Sequence, residues 1–130
     1  MSAFLTKLNV EWENEDDDDV PCWKLLAPLV YRSDHLGRII SVPTGYCTDF
    51  ASVPRAPIAY FLAGNAGNRA AVIHDYLITS QEVPRRTADE VFYEALITTN
   101  VDTWRAKAMF LAVQSYTTSL EDPGDPPMNA

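Results

Sequence analysis

RAAVIHDYLITSQEVPRRTADEVFYEAL, residues 69–96, carries two helical patterns joined by a short polar link. On a helix, residues three and four apart share a face, so His74 lies with Ala70, Ala71, Leu77 and Ile78 on an apolar stripe that should point inward. After the link, Pro84 fits the first turn of a second helix, and Asp89 borders the apolar face of Phe92, Tyr93 and Leu96. Positions 74 and 89 are equally far from the middle of the link. An antiparallel helical hairpin therefore sets both at the same height, about 11 Å from the turn at 1.5 Å per residue. Packed helices lie about 8–10 Å apart, so a His74–Asp89 hydrogen bond across the pair is geometrically reasonable.

Outward from this hairpin, Asn68 is a candidate cap for a first helix running to about Thr79, and the second runs to about Asn100. Asp102 is a candidate cap for a third, with Trp104, Ala108, Leu111 and Ser115 on one face and Met109, Val113 and Tyr116 beside it. The first half reads as β. Phe4, Thr6, Leu8, Val10 and Trp12 alternate with other residues, the period of a strand. A second strand is expected over residues 23–32, where Pro28 implies an edge position or a bulge. SDHLGR (33–38) is a turn in which Gly37 can take positive φ, and residues 39–42 return as the other arm of a hairpin. The expected class is α+β, a small antiparallel sheet followed by a three-helix segment. One domain over residues 1–120 is expected, with an acidic loop at 13–19 and a Pro-rich acidic tail at 121–130.

The chain has 130 residues, 47% of them hydrophobic and 22% charged, enough to bury a core without a disulfide scaffold. Its net charge of −8 is local: residues 11–19 (EWENEDDDD) hold seven acids, and the remaining 11 nearly balance 10 bases. No basic face is left for nucleic acid, so direct nucleic-acid binding is not expected. A solvated loop or a docking patch for a basic partner is the ordinary role of such an acidic run. No apolar run is long enough to span a bilayer, and the N-terminal residues lack the pattern of a signal peptide. Synthesis in the cytosol follows, and Cys22 and Cys47, without metal-type spacing, read as free thiols, a disulfide being the lesser alternative.

Chemistry concentrates in a few places. A carboxylate on one imidazole nitrogen fixes the tautomer and raises the basicity of the other, so a His74–Asp89 pair could activate water. The same pair is equally a way of satisfying a core histidine. Asp75 points to a different face, near Val72 and Thr79, where it could bind a hard cation. In SVPTGYCTDFASVPRAP (41–57), Asp49, Ser52 and Arg55 sit in a Gly- and Pro-bracketed loop. Asp49 could be a metal ligand or a loop anchor; Ser52 lacks the elbow of a serine nucleophile. His35 belongs to a turn and should be exposed. A zinc site from Cys22, Cys47, His35 and His74 has no support in the spacing. Arg85 and Arg86 oppose the helix dipole and call for acidic neighbours, solvent or a phosphate.

VPTGYCTDFASVPR, AAVIHDYLI and RRTADEVFYEAL, in that order, resemble a family of small proteins frequent in tailed-bacteriophage genomes and prophages. The match covers roughly residues 24–117. It implies a phage-encoded protein associated with the particle, its tail or lysis, with other phage structural proteins as partners. A loop with Asp and Ser, a His-Asp helix and a following helix bearing Asp are also similar to the core of phospholipase A2 enzymes. That likeness implies His74 as general base, Asp89 as its orienting partner and Asp75 as a calcium ligand, with the 41–57 loop, Asp49 included, adding oxygens. It departs from the enzymes in lacking the usual Gly-rich calcium loop and in its short His-to-Asp spacing. Two expectations therefore stand side by side. One is a virion- or tail-associated component. The other is a calcium-dependent hydrolase of lipid or other cell-envelope esters, with envelope lipid as substrate.

Overall fold

A computed structural model describes residues 1–13, 22–48 and 67–121. The described residues form two three-stranded antiparallel sheets followed by three helices, the α+β arrangement expected from the patterning. The strands are β1 (Ala3–Phe4), β2 (Val10–Glu13), β3 (Cys22–Leu25), β4 (Leu29–Ser33), β5 (Arg38–Val42) and β6 (Cys47–Thr48). The helices are α1 (Asn68–Ser80), α2 (Arg85–Thr98) and α3 (Thr103–Glu121).

One sheet runs β1-β4-β5 and the other β2-β3-β6. The continuous strands expected over residues 4–12 and 23–32 are thus each broken in two, and each break hands the chain from one sheet to the other. Pro28 supplies the reason, since it has no N–H to donate to a ladder. Thr6 fills the gap: its hydroxyl accepts from the Val30 N–H at 3.0 Å and donates to the Pro28 carbonyl at 3.2 Å. The β4–β5 hairpin has the expected turn, with Gly37 at φ 67°. Its alternation sends Leu29, Tyr31, Ser33, Ile40 and Val42 inward and Arg32, Ile39 and Ser41 outward.

Trp12 and Trp23 face each other across β2 and β3 with ring centroids 5.1 Å apart. Pairing of β3 with β6 brings Cys22 and Cys47 together as a disulfide, their Cα atoms 5.6 Å apart, a separation that suits the bond. This corrects the expectation of free thiols. Residues 25 apart in the chain carry no pairing signal; only the strand pairing places them side by side.

The helices form an antiparallel succession in which α2 packs on both α1 and α3 and also reaches β1 and β4. The core joins Leu25, Leu29, Tyr31, Ile40 and Val42 of the sheets to Ile73, Leu77, Phe92, Leu96 and Met109 of the helices. Each such side chain contributes roughly 1.5–3 kcal/mol by leaving water. Helix α1 is capped by Gly67 rather than Asn68, which is its first helical residue, and ends on Gln81 in the left-handed region. Helix α2 stops at Thr98, with Asn100 at φ 66° turning the chain into α3. On α3 the inward face is Ala106, Met109, Val113 and Thr117, while Trp104 and Leu111 of the stripe read from the sequence lie 58% and 51% exposed.

Candidate functional site

The helical hairpin places His74 and Asp89 as the equal spacing from the link requires. Nε2 of His74 lies 2.7 Å from Oδ1 of Asp89, and the two side chains are 1% and 2% exposed. The other carboxylate oxygen, Oδ2, accepts a hydrogen bond of 2.5 Å from the Thr117 hydroxyl. A carboxylate only accepts, so Nε2 carries the proton and Nδ1 is the nitrogen with the free lone pair. Nδ1 is buried and, among the described residues, has no hydrogen-bond partner. The ring packs against Phe92, with centroids 5.0 Å apart. His74, Asp89 and Thr117 thus form a buried chain of hydrogen bonds with one member on each helix.

Thr117 was not legible as a partner in the sequence. Its signal is a single hydroxyl on the otherwise apolar Ala106–Met109–Val113 stripe. An open cleft of about 170 Å³ between α2 and α3, lined by Arg86, Asp89, Glu90, Phe110 and Gln114, reaches Asp89. His74 does not line it.

Asp75 points away from this chain. Its Oδ2 accepts from the Tyr46 hydroxyl at 2.7 Å, and the same hydroxyl lies 3.3 Å from Thr79 Oγ1. The Tyr46 ring meets Tyr76 edge-on at 5.4 Å. Asp75 therefore ties α1 to the turn that precedes β6. Among the described residues, no group of three or more His, Cys, Asp or Glu stands ready to hold a metal ion. Asp75, the proposed calcium ligand, already accepts from a tyrosine hydroxyl. Asp49, Ser52 and Arg55 lie outside the described residues.

A second polar cluster, absent from the sequence reading, centres on Glu94. Its Oε1 accepts from the Tyr31 and Ser33 hydroxyls, each at 2.7 Å, and its Oε2 from the His35 backbone N–H at 2.8 Å. Burial alone would raise the Glu94 pKa, but these hydrogen bonds outweigh it and hold the carboxyl below its ordinary value. The Tyr31 hydroxyl is pushed upward, first by burial and then by the adjacent Glu94 carboxylate. The only sequence signal was a carboxylate beside an apolar face; its partners sit on β4 and the turn after it, about 60 residues earlier.

The remaining candidates settle on the surface. His35 is exposed, 3.7 Å from Glu90. Arg86 bonds Glu121 at 2.8–2.9 Å and Thr118 at 3.1 Å, and Arg85 lies over the Tyr116 ring. With Cys22 and Cys47 bonded to each other and His74 bonded to Asp89, the four residues of a zinc set do not converge.

Residues 23–113 match the profile of a family described as "Protein of unknown function (DUF1353)". The chain belongs to this family. It is also 31% identical over 105 residues to "Uncharacterized protein y4jT" of Sinorhizobium fredii (strain NBRC 101917 / NGR234). The aligned part is 78% of this chain but 30% of that relative, so the chain spans under a third of the longer protein it matches. No solved structure matches the chain significantly.

Proposed function

We propose that this chain is a structural module of a tailed-phage particle or tail, in which the His74–Asp89–Thr117 chain locks three helices rather than moving protons. The observation that carries the reading is the enclosure of His74, whose residue exposure is 0%. A general base must come within hydrogen-bond reach of the proton it takes, directly or through one water. Here the imidazole packs on Phe92, and both oxygens of Asp89 are engaged. Buried polar groups that satisfy one another in this way fix a unique packing. The alignment with less than a third of a longer relative also fits a module that works joined to, or beside, other chains. The acidic run at 13–19 and the Pro-rich tail are its natural contact segments. The phage setting rests on the resemblance carried by the three ordered motifs.

A second reading keeps one observation in its favour. Nδ1 of His74 has no partner among the described residues, and its ring is oriented by a carboxylate, the arrangement from which a base acts once a substrate or water reaches it. The hydrolase reading then gives His74 the base role and Asp89 the orienting role, with a cation near Asp75.

Two measurements separate these. Purified particles from a producing host, analysed by mass spectrometry, are expected to contain the chain at a fixed copy number; its absence from particles would sink the virion reading. Hydrolysis of a mixed phospholipid panel with calcium, against a chelator control and the His74→Ala protein, is expected to give no fatty acid above background. Chelator-sensitive release that His74→Ala abolishes in folded protein would instead establish the hydrolase.

A further inference from the structure

The open cleft between α2 and α3 has no part in either reading above. It measures about 170 Å³ and is lined by Arg86, Asp89, Glu90, Phe110 and Gln114. That is roughly the space of five or six waters at about 30 Å³ each, enough for one ligand group the size of a side chain. Asp89 brings a buried anion to it. Its side chain is 2% exposed, and its two bonded partners, the Nε2–H of His74 and the Thr117 hydroxyl, are donors without formal charge. A buried charge is costly unless it is paired as well as hydrogen-bonded. Neither of these donors supplies the opposite charge.

The rest of the lining adds to this negative balance. Glu90 carries a second carboxylate at 50% exposure, with the His35 ring 3.7 Å away, too far for a hydrogen bond. Arg86 is the cation of the lining, and α3 already answers it: the guanidinium bonds Glu121 at 2.8–2.9 Å and Thr118 at 3.1 Å. Two carboxylates, the Gln114 amide and the Phe110 ring, itself packed on Tyr93, are left to face a ligand. A hard metal ion needs several oxygens converging at short range, and no group of three or more His, Cys, Asp or Glu stands together among the described residues. A primary ammonium needs less. It carries three N–H donors for the oxygens of Glu90 and Gln114, a positive charge for Asp89, and an apolar stem that an aromatic ring accepts.

We propose that the α2–α3 cleft binds a primary alkylammonium group, carried by a small free amine or by the lysine side chain of another protein. Glu90 and Gln114 accept its hydrogen bonds, the buried Asp89 carboxylate supplies the opposite charge, and Phe110 packs on its stem. This does not depend on the role assigned to His74.

The test is a titration of the isotope-labelled full chain followed by NMR. Butylammonium is the free-amine probe and Nα-acetyl-lysine amide the side-chain probe, with butanol and calcium chloride as controls. Both amines are expected to give saturable shifts at the Gln114 side-chain amide and at the backbone amides of Glu90 and Phe110. The dissociation constant should be on the order of millimolar, as a ligand of few heavy atoms allows; butanol and calcium should give no saturable shift there. Glu90→Gln and Phe110→Leu, each checked for folding by circular dichroism, should each weaken binding about two- to fivefold. Glu90→Gln changes a half-exposed residue and keeps the test decisive should Phe110→Leu not fold. Tighter binding of the lysine amide than of butylammonium would support the site with a protein partner as its source, and the reverse order would support it with a free amine. Failure of both amines to saturate would overturn the inference, as would equal binding of butanol, displacement of the amine by calcium, or an affinity that folded Glu90→Gln leaves unchanged.

Discussion

Asp89 and Glu94 stand on the same helix five residues apart, and each gathers hydrogen bonds from elements distant in the chain. Asp89 looks into the interior, where it joins α1, α2 and α3 through His74 and Thr117 at 1–2% side-chain exposure for the first pair. Glu94 looks to the rim, where it clamps the β4–β5 hairpin onto α2 from a half-buried position. The interior network trades in full desolvation, so its loss leaves stranded polar groups. The rim network remains within reach of water, so its loss is softened by solvent and its strength follows pH. Burial separates the two more than the number of hydrogen bonds does.

The comparison can be broken first at Asp89. Asp89→Ala leaves the imidazole and the Thr117 hydroxyl without an acceptor, and the expected loss is about 3–5 kcal/mol in the denaturant midpoint analysis. A loss under about 1 kcal/mol would show that water enters this interior. Next comes the covalent tie in the sheet half. The disulfide closes a loop with a sequence separation of 25, and its removal in the double Cys→Ala protein should cost about 3 kcal/mol. Alkylation of the native protein without reductant should find neither cysteine; full labelling would overturn the pairing.

Thr117→Val tests a single interior bond. It keeps the volume and removes one donor to a carboxylate, with an expected loss of about 1.5–3 kcal/mol. Glu94→Gln should cost least, about 1 kcal/mol near neutral pH, because solvent reaches the rim. Its signature lies in acid. The folded Glu94 carboxyl is held below its ordinary value, so its stabilisation is present above the ordinary carboxylate pKa of about 4.3 and disappears as pH falls through the lowered folded value. Acid titration of stability should therefore be shallower in Glu94→Gln. An unchanged acid slope would remove Glu94 from the pH-sensitive part of the molecule.

Much of this architecture was legible in residues that interact locally. The helical hairpin followed from apolar spacing on either side of a short link, and the equal distances of positions 74 and 89 from that link set them at one height, within reach of each other. The β4–β5 hairpin followed from SDHLGR between two alternating runs. In each case the contacts lie within a few tens of residues and the period of the element fixes which side chains meet.

What the tertiary structure decided is of another kind. The splitting of residues 3–13 and 22–33 between two sheets depends on Thr6 filling the gap made by Pro28, a contact across more than 20 residues. The Cys22–Cys47 bond waits on β6 lying beside β3, and the Glu94 clamp on β4 and its turn about 60 residues upstream. On α3 the sequence offered Trp104, Ala108, Leu111 and Ser115 as one face with Met109, Val113 and Tyr116 beside it, and the fold buries Met109 and Val113 while turning Trp104 and Leu111 outward. Periodicity reports that a face exists; which face is buried depends on the shape it must fit, here the narrow space beside α2 that admits Ala106 and Thr117 but leaves Trp104 in water.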